Sequence, residues 1–163
     1  MTAKVFISPE RAQELIASES PVHVLDVRWA LGRDDGLERY EQAHLPGAVY
    51  VDLEASLAAP NLPATAGRHP LPDEEEFTKS MQLWGLNPDE TVIVYDDVNS
   101  LSAARAWWLL KHAGHEQTYI LDGGFQAWQK LGGLVQAGAV IPQPGTAEAK
   151  FGHMPVTELD EVE

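Results

Sequence analysis

Thr91–Tyr95 (TVIVY) constrains this chain more than any other stretch. Its β-branched and aromatic residues form a run too short for a helix and bounded by polar groups, which reads as a buried strand. Asp96 opens a polar loop to residue 102, and residues 103–113 are rich in helix formers until Gly114 stops them. A strand feeding a helix through a loop belongs to a parallel α/β sheet. There, ligands sit outside the carboxyl ends of strands and free helix N–H groups favour anions. This loop opens instead with two carboxylates, Asp96 and Asp97, at the position where an anion site wants a neutral or nucleophilic group.

The remaining pattern is consistent with that class. Residues 22–27, 49–51 and Thr118–Leu121 read as further short strands. Ser8, Pro9 and Glu10 mark a helix start, with Ala12, Leu15 and Ile16 as its apolar stripe. Residues 37–43 suit a short helix. Asp73 with Glu76 makes a capping box ahead of Phe77, Met81 and Trp84, and Gly85 ends that helix. Phe125, Trp128 and Leu131 stripe a last helix, which follows the turn Asp122-Gly123-Gly124. Strands alternate with helices, so the expectation is an α/β fold with a mostly parallel central sheet flanked by helices. Residues 60–72, with four prolines, Arg68 and His69, form an irregular segment long enough to suggest function. Residues 135–150, rich in Pro, Gly, Ala and Gln, have linker composition.

Composition removes several function classes. The 163 residues fit one domain of ordinary size. A net charge of -14 argues against a nucleic-acid partner, which requires clustered Lys and Arg. There is no cysteine, so the chain alone offers no disulfide, thiolate metal site or thiol nucleophile. No apolar run approaches the ~18 residues of a membrane span. Nothing at the N-terminus resembles a signal peptide, so no membrane association is expected and the cytoplasm is the expected compartment. The six histidines form no ligand cluster, and neither a metal nor a cofactor is expected.

Six segments together resemble the rhodanese homology domain, in that family's order: LDVRW (25–29), AHLPGAVYVD (43–52), GRHPLP (67–72), VIVYDD (92–97), ARAWWLLKHAGH (104–115) and LDGGFQAW (121–128). The GRHPLP and ARAWW signatures and the aspartate after VIVY are similar to the N-terminal half of tandem thiosulfate or 3-mercaptopyruvate sulfurtransferases. The resemblance implies a rhodanese-like three-layer sandwich over residues 1–135, an interdomain linker over 136–153, and the start of a missing second rhodanese domain at 154–163. In a catalytic rhodanese domain a cysteine stands where Asp96 stands here, and its thiolate carries sulfane sulfur as a persulfide. A carboxylate cannot carry that sulfur.

The resemblance therefore implies a catalytically silent half of a sulfurtransferase, with no catalytic residue of its own. Its expected partner is a C-terminal rhodanese domain of the same polypeptide, which would meet the small sulfur donors and acceptors: thiosulfate or 3-mercaptopyruvate on one side, cyanide or a thiol on the other. It also implies that His69 and Glu54 assist the partner's cysteine, the histidine moving a proton and the carboxylate fixing its tautomer. A His69 that only braces its loop is the plainer reading. Asp26, Arg28 and His44 are expected to tie the DVR strand to the HLPGA turn. Arg105 belongs to the ARAWW signature, and Trp107 and Trp108 beside it are expected to pack in the core or at a domain interface rather than stack on bases. A Cys-less rhodanese module with a binding or regulatory role is the alternative. A phosphatase using Asp96 and Asp97 would need a further aspartate two residues on, where Val98 stands.

Overall fold

β4 (Thr91–Tyr95) is the central strand of a five-stranded parallel sheet, flanked by β2 (Val22–Asp26) and β5 (Thr118–Leu121), with β1 (Phe6–Ile7) and β3 (Val49–Tyr50) at the edges in the order β1-β5-β4-β2-β3. This computed structural model describes residues 5–18, 22–27, 36–51, 74–88, 90–96, 101–115, 117–138, 140 and 142–150. Among them the helices are α1 (Pro9–Ala17), α2 (Gly36–Gln42), α3 (Glu74–Leu83), α4 (Leu101–His112) and α5 (Gly124–Leu131). None is long and apolar enough to cross a membrane.

The alternation of side chains along β4 assigns the layers. Val92 and Val94 enter a core with Phe77 and Met81 of α3, Trp84 just after it, and Ala106, Leu109 and Leu110 of α4. Ile93 and Tyr95 enter the opposite core with Ala12 of α1, Tyr40 of α2, and Phe125 and Trp128 of α5. A sheet buried on both faces explains why the β4 sequence is continuously apolar. The result is the three-layer α/β architecture the sequence implies, and each large side chain fully buried in it contributes roughly 1.5–3 kcal/mol.

Helix ends follow the sequence signals. The Ser8 side chain accepts a hydrogen bond from Arg11 N, and Pro9 occupies the first turn of α1. At Gly114, with φ at +97°, the Gly114 and His115 N–H groups donate back to Lys111 and Leu110 O and close α4. The same pair of bonds closes α3, from Gly85 and Leu86 to Gln82 and Met81. The Asp73 half of the expected capping box lies outside the described residues. α4 begins two residues earlier than its helix formers suggest.

Two features were not announced by the sequence. β1 is a strand, joined to β5 through Ile120 N to Val5 O and Asp122 N to Ile7 O. Two paired residues followed by Ser-Pro carry too little pattern to announce one. The other is the segment with linker composition, which over residues 142–150 is a strap bonded to the body. Gly145 N donates to Gln82 O, Ala147 N to Leu86 O, Ala149 N to the Thr78 hydroxyl and Lys150 N to Ala113 O. Ala147 and Ala149 are buried in the α3–α4 core. Small residues let the backbone lie this close: a Cβ on Gly145 would fall 1.9 Å from Leu86 O. Upstream, Gln136 and His44 exchange backbone hydrogen bonds, and Val140 N donates to the Tyr40 hydroxyl. Burial pushes the Tyr40 phenol above its ordinary value, so it stays protonated and donates in turn to Ala48 O. A run of small and polar residues suits a free segment and a packed one equally, and over residues 142–150 it is packed. Residues 151–153 of the expected linker, and 154–163, expected to begin a second domain, lie outside the described residues.

Candidate functional site

Because every strand is parallel, Asp96 after β4, Val27 after β2 and Asp122 after β5 share the carboxyl edge of the sheet. Asp96 is the centre of that edge. Its side chain is 1% exposed, and Oδ2 accepts a hydrogen bond of 2.7 Å from Ala103 N in the first turn of α4. A buried carboxylate bonded to a helix N–H is worth about 1.5–3 kcal/mol over leaving the donor empty, and the helix dipole adds to it. The Asp96 main-chain oxygen meanwhile accepts from Phe125 N, at the start of α5. One residue thus receives the N-termini of two helices.

The Asp122-Gly123-Gly124 turn makes the second contact possible. Asp122 is exposed, whereas Gly124 is buried, and a Cβ there would fall 2.4 Å from Asp96 O. At Gly123 a Cβ would meet Ala127 Cβ at 2.5 Å. The glycines are required by close approach, and Asp122 contributes its backbone N–H to the sheet.

Asp26 is fully buried beside Tyr95, its β4 partner in register. The Tyr95 hydroxyl donates to Asp26 Oδ2 at 2.5 Å and receives Leu45 N at 3.3 Å. The expected tie between the DVR strand and the HLPGA turn is therefore present for Asp26, but Tyr95 carries it. His44 holds something else. Its Nδ1 and Nε2 lie 2.7 Å from Leu45 O and Gly138 O, and its ring stacks on Tyr40. It fastens the turn to the segment after α5. Arg105 lies on α4 with its guanidinium pushed below its ordinary value by burial, and Trp107 and Trp108 pack against the core as expected. Arg28, Glu54 and His69 lie outside the described residues. Sequence reading missed Tyr95, although a phenol ending an aliphatic strand needs a polar partner and is a usable signal.

A three-layer fold on a parallel sheet, whose central strand ends in a carboxylate bonded to a helix N–H, defines the class. Residues 8–131 match the model of the rhodanese-like domain family, and the chain belongs to it. Among its relatives are proteins named as sulfurtransferases. SseB of Mycobacterium tuberculosis, named a putative thiosulfate sulfurtransferase, is 44% identical over 142 residues, which are 87% of this chain and 50% of SseB. The 3-mercaptopyruvate sulfurtransferase of Escherichia coli is 35% identical over 165 residues, 99% of this chain and 57% of that protein. The crystal structure of SseA from Escherichia coli superposes with a TM-score of 0.86 at 35% identity, covering 98% of this chain and 60% of that one. The 3-mercaptopyruvate sulfurtransferase of Leishmania major follows at 0.82 with 29% identity, covering 96% and 44%. The chain thus spans about half the length of the curated relatives it matches.

Proposed function

We propose that this chain is the non-catalytic N-terminal half of a cytoplasmic sulfurtransferase. The full protein moves sulfane sulfur from thiosulfate or 3-mercaptopyruvate to cyanide or a thiol, through a cysteine persulfide in a C-terminal rhodanese domain. The observation that carries the reading is Asp96. At the end of the central strand, where a catalytic member of the family has its cysteine, this chain has a buried carboxylate already bonded to the helix N–H that would favour a thiolate. That group fills the cradle and repels an anionic donor. The half-length match to relatives named for sulfur transfer supports the same reading. The chain's contribution is then its interface and, from the segment between β3 and α3, His69 as a proton carrier with Glu54 as its carboxylate.

The test is complementation. The chain and a separately expressed C-terminal half are assayed apart and together, with both donors and cyanide as acceptor. Turnover is expected only on mixing, and His69→Ala is expected to lower it by about 10²-fold on 3-mercaptopyruvate, the scale of one lost acid–base group. A C-terminal half that is fully active alone would overturn the reading and leave a Cys-less module with a binding role.

A further inference from the structure

At the amino edge of the sheet, opposite Asp96, a polar cluster forms around Glu90, the residue before β4. His23 of β2 donates from Nε2 to Glu90 Oε1 at 2.5 Å, and Asn87 donates from Nδ2 to the same oxygen at 3.0 Å. His115, in the turn before β5, donates from Nε2 to the Glu90 main-chain oxygen. Asn87 then turns its other end to the strap: Oδ1 receives Thr146 N at 3.1 Å and the Thr146 hydroxyl at 3.3 Å.

This arrangement has a direction. An ionised carboxylate only accepts, so it forces the Asn87 NH2 group toward itself and the amide oxygen toward the strap. The strap presents two donors there. A reversed amide would set NH2 against N–H and O–H, and an oxygen against a carboxylate. Hydrogen bonds from His23 and Asn87 hold the Glu90 carboxyl below its ordinary value, with burial opposing them. The group is therefore ionised throughout the neutral range. An open cavity of about 420 Å³, bordered by Met81, Pro88, Thr146, Glu148 and Lys150, lies alongside the strap.

We propose that Glu90 and Asn87 form a latch that seats the 142–150 strap, the carboxylate orienting the Asn87 amide and the amide oxygen holding Thr146. The strap's later bonds, from Ala147 to Leu86 and from Lys150 to Ala113, follow from that seating. The latch thereby sets the position of the strap as far as Lys150. This holds whether or not the sulfurtransferase reading does.

Amide hydrogen exchange on the full chain tests it. Asn87→Asp opposes two carboxylates, and Glu90→Gln frees the amide to reverse. Each is expected to speed exchange at Gly145, Ala147 and Lys150 by about tenfold, the scale of one hydrogen bond to a charged group. Amides of Val24 and Ile93 in the central strands should keep their wild-type rates. The double variant Asn87→Asp/Glu90→Gln restores the pattern with the roles exchanged. The amide now at position 90 donates to the carboxylate now at position 87, whose second oxygen accepts from Thr146, and His23 takes the tautomer whose Nε2 accepts from that same amide. Its strap amides should return to near wild-type exchange. Unchanged strap exchange in either single variant, an equal rise in β2 and β4, or a double variant no slower than Asn87→Asp would each overturn the latch.

Discussion

Gly124→Ala is expected to cost the fold about 3 kcal/mol, or roughly 6–12 °C in Tm for a chain of this size. Two costs act at once. Gly124 has φ at +65°, where an L side chain is disfavoured by about 1–2 kcal/mol. Its new Cβ would also stand 2.4 Å from Asp96 O, a backbone atom that cannot swing aside. The N-terminus of α5 must then retreat and give up the hydrogen bond from Phe125 N to that oxygen. Gly47→Ala separates the two costs. Gly47 also has positive φ, at +77°, but nothing lies within 4 Å of its Cβ position. That variant should lose only about 1–2 kcal/mol. Thermal melts of both decide the matter, and equal losses would mean that close approach to Asp96 costs nothing.

That contact illustrates how far the sequence could be read. β4 was legible because a strand buried on both faces must be continuously apolar, and Thr91–Tyr95 is bounded by polar residues at each end. Gly85 and Gly114 were legible because the conformation that ends a helix selects glycine. Asp96 stood out as a chemical type at a position known from the strand–loop–helix order. Its hydrogen bond to Ala103 was not legible, since that depends on where α4 begins, and helix formers fix a start only to within a residue or two.

What was not legible shares one cause: short or plain segments whose structure is set by distant partners. Phe6 and Ile7 become a strand only because β5 lies beside them. Residues 142–150 have no periodicity, and α3, Leu86 and Ala113 supply their partners. The His44 ring reaches Gly138 O, 94 positions away in the chain. Local composition cannot encode such pairings, whereas it does encode caps, stops and buried strands.

Variants of Asp96 should show what the cradle favours. Asp96→Ala leaves the Ala103 N–H buried without an acceptor and is expected to lose about 2–3 kcal/mol in urea denaturation. Asp96→Asn keeps an oxygen for that donor and loses only the charge-assisted part, about 1 kcal/mol. Asp96→Cys is the more telling variant, because it would hold the sole thiol in the chain. Thiolate absorbance can therefore be titrated without interference. Two effects oppose each other there. Burial favours the neutral thiol, while the α4 N-terminus and the Ala103 N–H favour the anion. The native site already keeps a 1%-exposed acidic side chain bonded to that N–H at 2.7 Å. The thiol is accordingly expected to titrate at least about one unit below the ordinary value of roughly 8.5. A value at or above about 8.5 would mean that desolvation prevails. The cradle would then favour an anion only as a carboxylate.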